Sequence, residues 1–286
     1  MKKPLILVLT ALCLSACYVD WLGFVYTRSD DADARFDQSM EYNEKAGYAS
    51  ITVPDDTYRV YVLTDAHVTK KETRNIDRYV ADLLADGATA PFWINLGDCV
   101  NDKGQEDVFE SHIGPLETAG LRHFPTAGNH DIYFGEWNEW VSRFHTSTYW
   151  FEVLTPGRGK DLFISLESAG GTLGRSQRAW AEKILSDSKG KYDHITVYTH
   201  THFWKRNNSQ GTTGNFALEE SYDLADLFAR TGVDIVLTGH DHTAETTVFK
   251  GVRYETLESL KMNDISPGYN ILTYGKTIGR NYVPVE

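Results

Sequence analysis

Basic charge and cysteine are both scarce in this chain. Its 28 lysines and arginines face 40 aspartates and glutamates, a formal charge of −12. Such a surface repels nucleic acid at long range, which excludes a binder that relies on phosphate contacts. A small phosphate ester remains open as a ligand, because bound cations reverse the local sign inside a site. Three cysteines, at 13, 17 and 99, offer little for a disulfide framework. There is no internal repeat, no low-complexity tract and no break in composition. With 41% apolar and 24% charged residues, the 286-residue chain reads as an ordinary globular protein with one large domain. The apolar run Leu5 to Leu14 is too short to span a bilayer.

That run is instead the core of a secretory signal, preceded by Met1-Lys2-Lys3 and followed by small residues. Leu14-Ser15-Ala16-Cys17 resembles the lipobox of bacterial lipoproteins. The resemblance implies cleavage before Cys17, lipidation of that cysteine, and a partner membrane reached through the lipid anchor. A plain signal peptide with an incidental cysteine is the alternative. The expected location is the bacterial cell envelope, with the outer membrane favoured in a Gram-negative host because Tyr18 stands where an aspartate would signal inner-membrane retention. Loss of residues 1–16 leaves 26 basic against 40 acidic residues, a charge of −14. Only Cys99 then keeps a free thiol, so no intrachain disulfide forms. The expected organisation is a signal at 1–16, a partly ordered tether and N-terminal extension at 17–56, and one domain at 57–286. Within the extension, acidic residues outnumber periodic apolar ones, although Trp21, Phe24, Tyr26 and Phe36 point to some packing onto the domain.

From Tyr58 onward the pattern is α/β. A β-rich run at 58–64 precedes a helical pattern at 71–85. A second strand at 91–96 precedes a helix at 106–118, and a third strand follows at 122–125. Further along, 134–144 reads as helix, and 148–153 with 162–166 as paired strands. Residues 176–185 read as a helix with Ser176 as a cap, and 194–198 as a strand. A helix at 221–230 closes on Gly232, a strand spans 234–238, and the tail around 249–252 and 269–274 reads as antiparallel strands.

Five fragments rich in metal-binding groups sit where strands stop: Asp65-Ala66-His67, Gly97-Asp98, Gly128-Asn129-His130-Asp131, His200 with His202, and Gly239-His240-Asp241-His242. Ligands belong at such carboxyl ends. In extended chain, residues i and i+2 point the same way, so Asp65 and His67 can reach one ion together. Glycines 97, 128 and 239 permit the sharp turns this requires. Carboxylates, an amide and imidazoles form a donor set for two divalent transition metals, with manganese, iron and zinc all acceptable.

These five motifs, in this order over roughly residues 57–275, resemble those of the calcineurin-like metallophosphoesterases. The resemblance implies a sandwich of two mixed β-sheets flanked by helices. It also implies Asp65, His67 and His242 on one metal, Asn129, His200 and His240 on the other, Asp98 bridging them, and His130 as the acid beside the metals. Two cations about 3.5–4 Å apart share a bridging water, lower its pKa toward neutrality, and give a hydroxide that attacks phosphorus in line. A protonated His130 then donates to the leaving alkoxide. Asp131 either orients His130 or caps a helix. The chain departs from the protein phosphatases of the family, which carry Asp-Arg-Gly after the second motif, where this sequence has Gly97-Asp98-Cys99-Val100-Asn101-Asp102. It departs from purple acid phosphatases too, which place a tyrosine ligand at the position of Asn101 and lack a histidine at that of His67.

Three points stay open at this level. His202 could replace His200 as a ligand or bind substrate. The segment after it, from Phe203 and Trp204 to Lys205 and Arg206, either selects the substrate, with Trp204 stacking on the leaving group and Arg206 holding a phosphate oxygen, or packs inward as an ordinary loop. Phosphodiester hydrolysis is slightly favoured because no arginine adjoins a metal motif; phosphomonoester hydrolysis and a non-catalytic metal-binding surface lipoprotein are the alternatives. Cys99 reads as a small buried side chain in a tight turn, and His112, His123, His145 and His194 lie outside every motif.

Overall fold

The computed structural model describes residues 31–87, 89–204 and 216–285. Cys17, the signal segment, Lys205 and Arg206 lie outside the described residues. Two mixed β-sheets pack face to face, each covered on its outer side by helices. In chain order the elements are α1 (Ala32–Ala46), β1 (Ala49–Thr52), β2 (Tyr58–Leu63), α2 (Arg74–Asp86), β3 (Phe92–Asn95), α3 (Glu106–Thr118), β4 (Arg122–Pro125), α4 (Trp137–Phe144), β5 (Tyr149–Leu154) and β6 (Lys160–Leu166). Then come α5 (Gly174–Ser188), β7 (His194–Thr199), α6 (Leu218–Thr231), β8 (Ile235–Thr238), β9 (Glu245–Phe249), β10 (Val252–Thr256), β11 (Gly268–Tyr274) and β12 (Ile278–Pro284).

One sheet runs β1-β5-β6-β7-β8-β10-β9 and the other β12-β11-β2-β3-β4. Between them lie Val60, Val62, Ile94, Phe151, Phe163, Leu237 and Leu272, all almost fully excluded from water. Strands β3, β7 and β8 are buried at every position, as expected where both faces of a parallel sheet are covered. β5, nearer an edge, alternates strictly between buried and half-buried residues. The outer faces pack on α2, α3 and α4 on one side and on α5 and α6 on the other. In the first sheet β7 runs parallel to β8; in the second, β2, β3 and β4 are mutually parallel. The carboxyl ends of these five strands carry all five sequence motifs.

The stretch before the domain is not a tether over residues 31–56. α1 docks on the domain, and β1 pairs in parallel with β5. The buried face of α1 is mostly polar: Ala32, Arg35, Phe36, Ser39 and Asn43. Each polar member has a partner far along the chain. Arg35 Nε donates to Glu167 at 2.9 Å with both side chains excluded from water, and Asn43 Nδ2 donates to the Thr148 carbonyl at 2.7 Å. Ser39 Oγ accepts from the Ser147 amide at 3.4 Å. Asp33, on the same helix, accepts from the Ser176 backbone amide at 2.7 Å, and Glu220 accepts from that of Leu173 at 2.9 Å. The start of α5 is therefore capped from two other helices. Ser176, expected to be its cap, lies inside the helix, which begins at Gly174.

Candidate metal centre

Backbone ties bring the five loops into register before any side chain is considered. The Asp65 amide donates to the Gly97 carbonyl at 2.9 Å and that of His67 to the Asp98 carbonyl at 3.0 Å; the Gly239 amide donates to the His200 carbonyl at 2.9 Å. The approach is so close that a Cβ on Gly97 would strike the backbone of Gly128, one on Gly128 the Asp98 carboxylate, and one on Gly239 the Thr64 side chain. Five residues of the cluster, Asp65, His67, Asp98, His240 and His242, adopt positive φ between 43° and 72°. That region is sparsely populated for residues with side chains, and such strain persists where the surroundings over-determine it.

The donor atoms converge in two groups that share one carboxylate. Asp65 Oδ2 accepts from the Thr64 hydroxyl at 2.6 Å and the His240 amide at 2.8 Å. Its other oxygen, Oδ1, is buried, accepts no hydrogen bond, and lies 3.3 Å from His242 Nε2 and 3.9 Å from His67 Nε2. The two imidazoles face each other, Nε2 to Nε2, at 3.2 Å. In the second group His200 Nε2 lies 2.9 Å from Asn129 Oδ1 and 3.2 Å from His240 Nδ1. Asp98 stands between the groups. Its Oδ1 accepts from the His130 amide at 2.8 Å, and its Oδ2 is 3.5 Å from both His67 Nε2 and His200 Nε2.

These residues fit divalent cations on chemical grounds. Nitrogen atoms of neighbouring imidazoles and an unbonded carboxylate oxygen point at common volumes, and a proton on every one of them would be self-repelling. Burial drives His67 down to about 2, so it presents a neutral lone pair. Burial also works to raise the Asp65 carboxyl, but the His242, His200 and His67 imidazoles outweigh it and hold Asp65 below the usual carboxylate range. Burial, then the charge of Asp65, pushes Asp98 up to about 7. Burial works to lower His242, yet Asp65 and Asp264 raise it to about 9, so positive charge is favoured where its Nε2 meets Asp65. A bound cation would neutralise carboxylates crowded this closely, as would a proton on Asp98 in its absence.

His130 joins the cluster at its rim. Its ring meets that of His67 edge to face at 4.6 Å, and its Nδ1 lies 2.9 Å from the Asn101 carbonyl oxygen. That carbonyl occupies the orienting position, which corrects the expectation for Asp131. Both oxygens of the Asp131 carboxylate are turned to backbone amides: Oδ2 accepts from Gly128 and Asp98 at 2.8 Å each, and Oδ1 from Cys99 at 2.9 Å. Asp131 laces the Asp98 loop to the Asn129 loop and makes no hydrogen bond to the His130 ring. Burial, then Asp98, pushes it up to about 7.

Of the two readings open for Trp204, the structure favours inward packing: its ring packs against Phe249, Tyr254 and Tyr222 at centroid distances of 5.1, 5.5 and 5.8 Å. His202 is 4% exposed and stacks on His240 at 5.5 Å, beside the donors. Cys99 is buried, accepts from Asn95 Nδ2 at 2.9 Å, and has its thiol pushed well up by burial. Among the histidines outside the motifs, His123 stacks on Trp93 at 3.7 Å and His194 contacts the Gly275 carbonyl at 2.8 Å. Sequence reasoning missed Asp264, whose Oδ2 lies 2.8 Å from His242 Nδ1, and the Leu96 carbonyl, 2.8 Å from His200 Nδ1. No motif or periodicity marks either one.

The family model for calcineurin-like phosphoesterases matches residues 58–244, the span that runs from β2 through the last of the five motifs. The chain belongs to the calcineurin-like phosphoesterase family. It is a metal-dependent hydrolase acting on small phosphate esters, with divalent metal ions as cofactors. No curated protein matches the sequence. A dimetal phosphatase from Danio rerio has a TM-score of 0.62 at 12% identity, over 79% of this chain and 95% of that one. The inner-membrane-complex anchor GAP50 of Plasmodium has a TM-score of 0.61 at 16% identity, over 80% and 84%. A purple acid phosphatase from yellow lupin has a TM-score of 0.57 at 15% identity, over 80% of this chain and 52% of that one. At these identities the likeness speaks for the fold. Among the described residues, no helix is long and apolar enough to cross a membrane.

Proposed function

We propose that this calcineurin-like phosphoesterase is a two-metal phosphodiesterase of the bacterial cell envelope, held to the membrane by a lipid on Cys17. The observation that carries the catalytic part is the position of Asp98 Oδ2, equidistant at 3.5 Å from an imidazole of each donor group. On this reading Asp65, His67 and His242 would hold one divalent cation and Asn129, His200 and His240 the other, with Asp98 available to both. Bound there, the pair supplies an activated water and takes up negative charge from the phosphoryl oxygens. The chain's own residues do the rest. His130, with Nδ1 committed to the Asn101 carbonyl, carries its transferable proton on Nε2 and delivers it to the leaving alkoxide. Asp131 keeps the Asp98 and Asn129 loops at fixed separation, so the donors need not reorganise when substrate arrives. His202, buried against His240, narrows the same edge of the site.

The diester preference draws support from the sequence, in which no arginine adjoins any metal motif to meet the second charge of a monoester. Arg206, which lies outside the described residues, is the residue that would favour a monoester instead. The Plasmodium protein of similar fold is described as an anchor; His130 beside a full donor set argues for turnover here. Metal content and rates on bis(p-nitrophenyl) phosphate and p-nitrophenyl phosphate test the proposal together. Close to two metals per chain is expected, with the diester hydrolysed at the higher kcat/KM; less than one metal after reconstitution would sink the assignment, and Asp98→Asn should lower occupancy and rate together. For the anchor, Cys17→Ser should stay unprocessed and unlipidated. A Cys17→Ser protein fractionating with membranes at the wild-type mature mass would refute lipidation.

A further inference from the structure

Asp264 belongs to none of the five motifs, yet it stands directly behind one of their histidines. It lies in the segment between β10 and β11, which is tied down at several points. The Leu257 amide donates to the Thr238 carbonyl at 2.8 Å, and the Leu260 amide to that of Thr64 at 2.9 Å, next to Asp65. Asn75 Nδ2 donates to the Leu260 carbonyl at 2.9 Å and Asn263 Nδ2 to Glu72 at 3.1 Å. The Gly268 amide closes the segment on the Ser259 carbonyl at 2.8 Å. Held this way, Asp264 turns Oδ2 toward His242 Nδ1, 2.8 Å away, and the same oxygen accepts from the fully buried Ser259 hydroxyl.

Two of the other imidazoles are backed differently: His200 Nδ1 meets a backbone carbonyl, that of Leu96, and His67 Nδ1 is buried without a hydrogen bond. A carboxylate behind an imidazole fixes the tautomer and makes the far nitrogen a better donor; a neutral carbonyl does the first and less of the second. We infer that Asp264, braced by Ser259, is a positioning residue that sets the affinity of the Asp65–His67–His242 site separately from that of its neighbour. This rests on the two-metal reading above.

Titration of the chelator-stripped full chain with Mn²⁺ by calorimetry, paired with elemental analysis after desalting, tests it without recourse to activity. Wild type should take two ions. Asp264→Asn keeps an acceptor for Nδ1 but loses the charge, and should weaken one site by roughly 10–100-fold while the other is unchanged. Ser259→Ala should weaken the same site by less. In the metal-free protein loss of the Asp264 charge also weakens its bonds to His242 and Ser259, so the metal-free melting temperature should fall modestly, and both sites are titrated well below it. Two ions bound to Asp264→Asn with wild-type affinities would overturn the inference and leave the two-metal reading standing. Equal weakening of both sites would overturn it by showing that Asp264 acts on the scaffold. Fewer than two ions on wild type would remove the reading beneath it.

Discussion

Asp131→Asn separates a structural brace from a catalytic partner. The carboxylate accepts three buried backbone hydrogen bonds, from Gly128 and Asp98 on one oxygen and from Cys99 on the other. An asparagine can turn its carbonyl toward the Gly128 and Asp98 amides, but its NH2 group then faces the Cys99 N–H, donor against donor. One bond is lost and a buried N–H is left without an acceptor, at about 1–3 kcal/mol, and the remaining pair is weakened by loss of charge. A total of about 2–4 kcal/mol corresponds to a fall in melting temperature on the order of 5–15 °C for a domain of this size. Because the bonds join the Asp98 loop to the Asn129 loop, metal retention should fall too. Calorimetric melting with and without Mn²⁺, plus metal analysis, provides the assay. If Asp131 instead served His130, the variant would keep its melting temperature and both metals and lose rate alone; that outcome would refute the brace.

His130→Ala should keep both metals and lose about 10²–10⁴-fold in rate on alkyl esters while p-nitrophenyl esters are nearly unaffected, since a good leaving group needs no proton; equal losses on both would argue against His130 as the acid. Arg35→Ala strands the buried Glu167 carboxylate and should cost about 3–5 kcal/mol in urea unfolding, against almost nothing if α1 were a loose tether. Glu220, raised by burial from 4.5 to about 7 in the folded protein, binds its proton more tightly there than when unfolded. Stability from this group is therefore complete below pH about 4.5 and is lost as pH rises to about 7. Glu220→Gln should flatten that part of the stability–pH curve, and an unchanged slope would contradict the assignment.

The sequence by itself determined the α/β class, most of the strands and helices, and which motifs meet at the centre. It could do so because each motif follows an apolar β-rich run, and parallel strands in packed sheets deliver their carboxyl ends to one edge. Chain order plus the direction of five strands was enough to bring the five motifs to one edge; the donor set within them, with His200 in preference to His202, came from the resemblance to the family. Only the tertiary structure decided what stands behind them. Asp264 is 22 residues beyond His242 in a segment without periodicity, and its role comes from backbone ties to β2 and β8 that no local pattern encodes. Asp131 looked like a partner for its neighbour in sequence, but its carboxylate is claimed by amides of another loop. The same holds for α1: Arg35, Ser39 and Asn43 look solvated at helical spacing, and they are buried because Glu167, Ser147 and Thr148 supply their partners across the fold. A polar side chain's burial depends on whether a hydrogen-bonding partner is waiting in the packed interior, and that is settled only when distant parts of the chain come together.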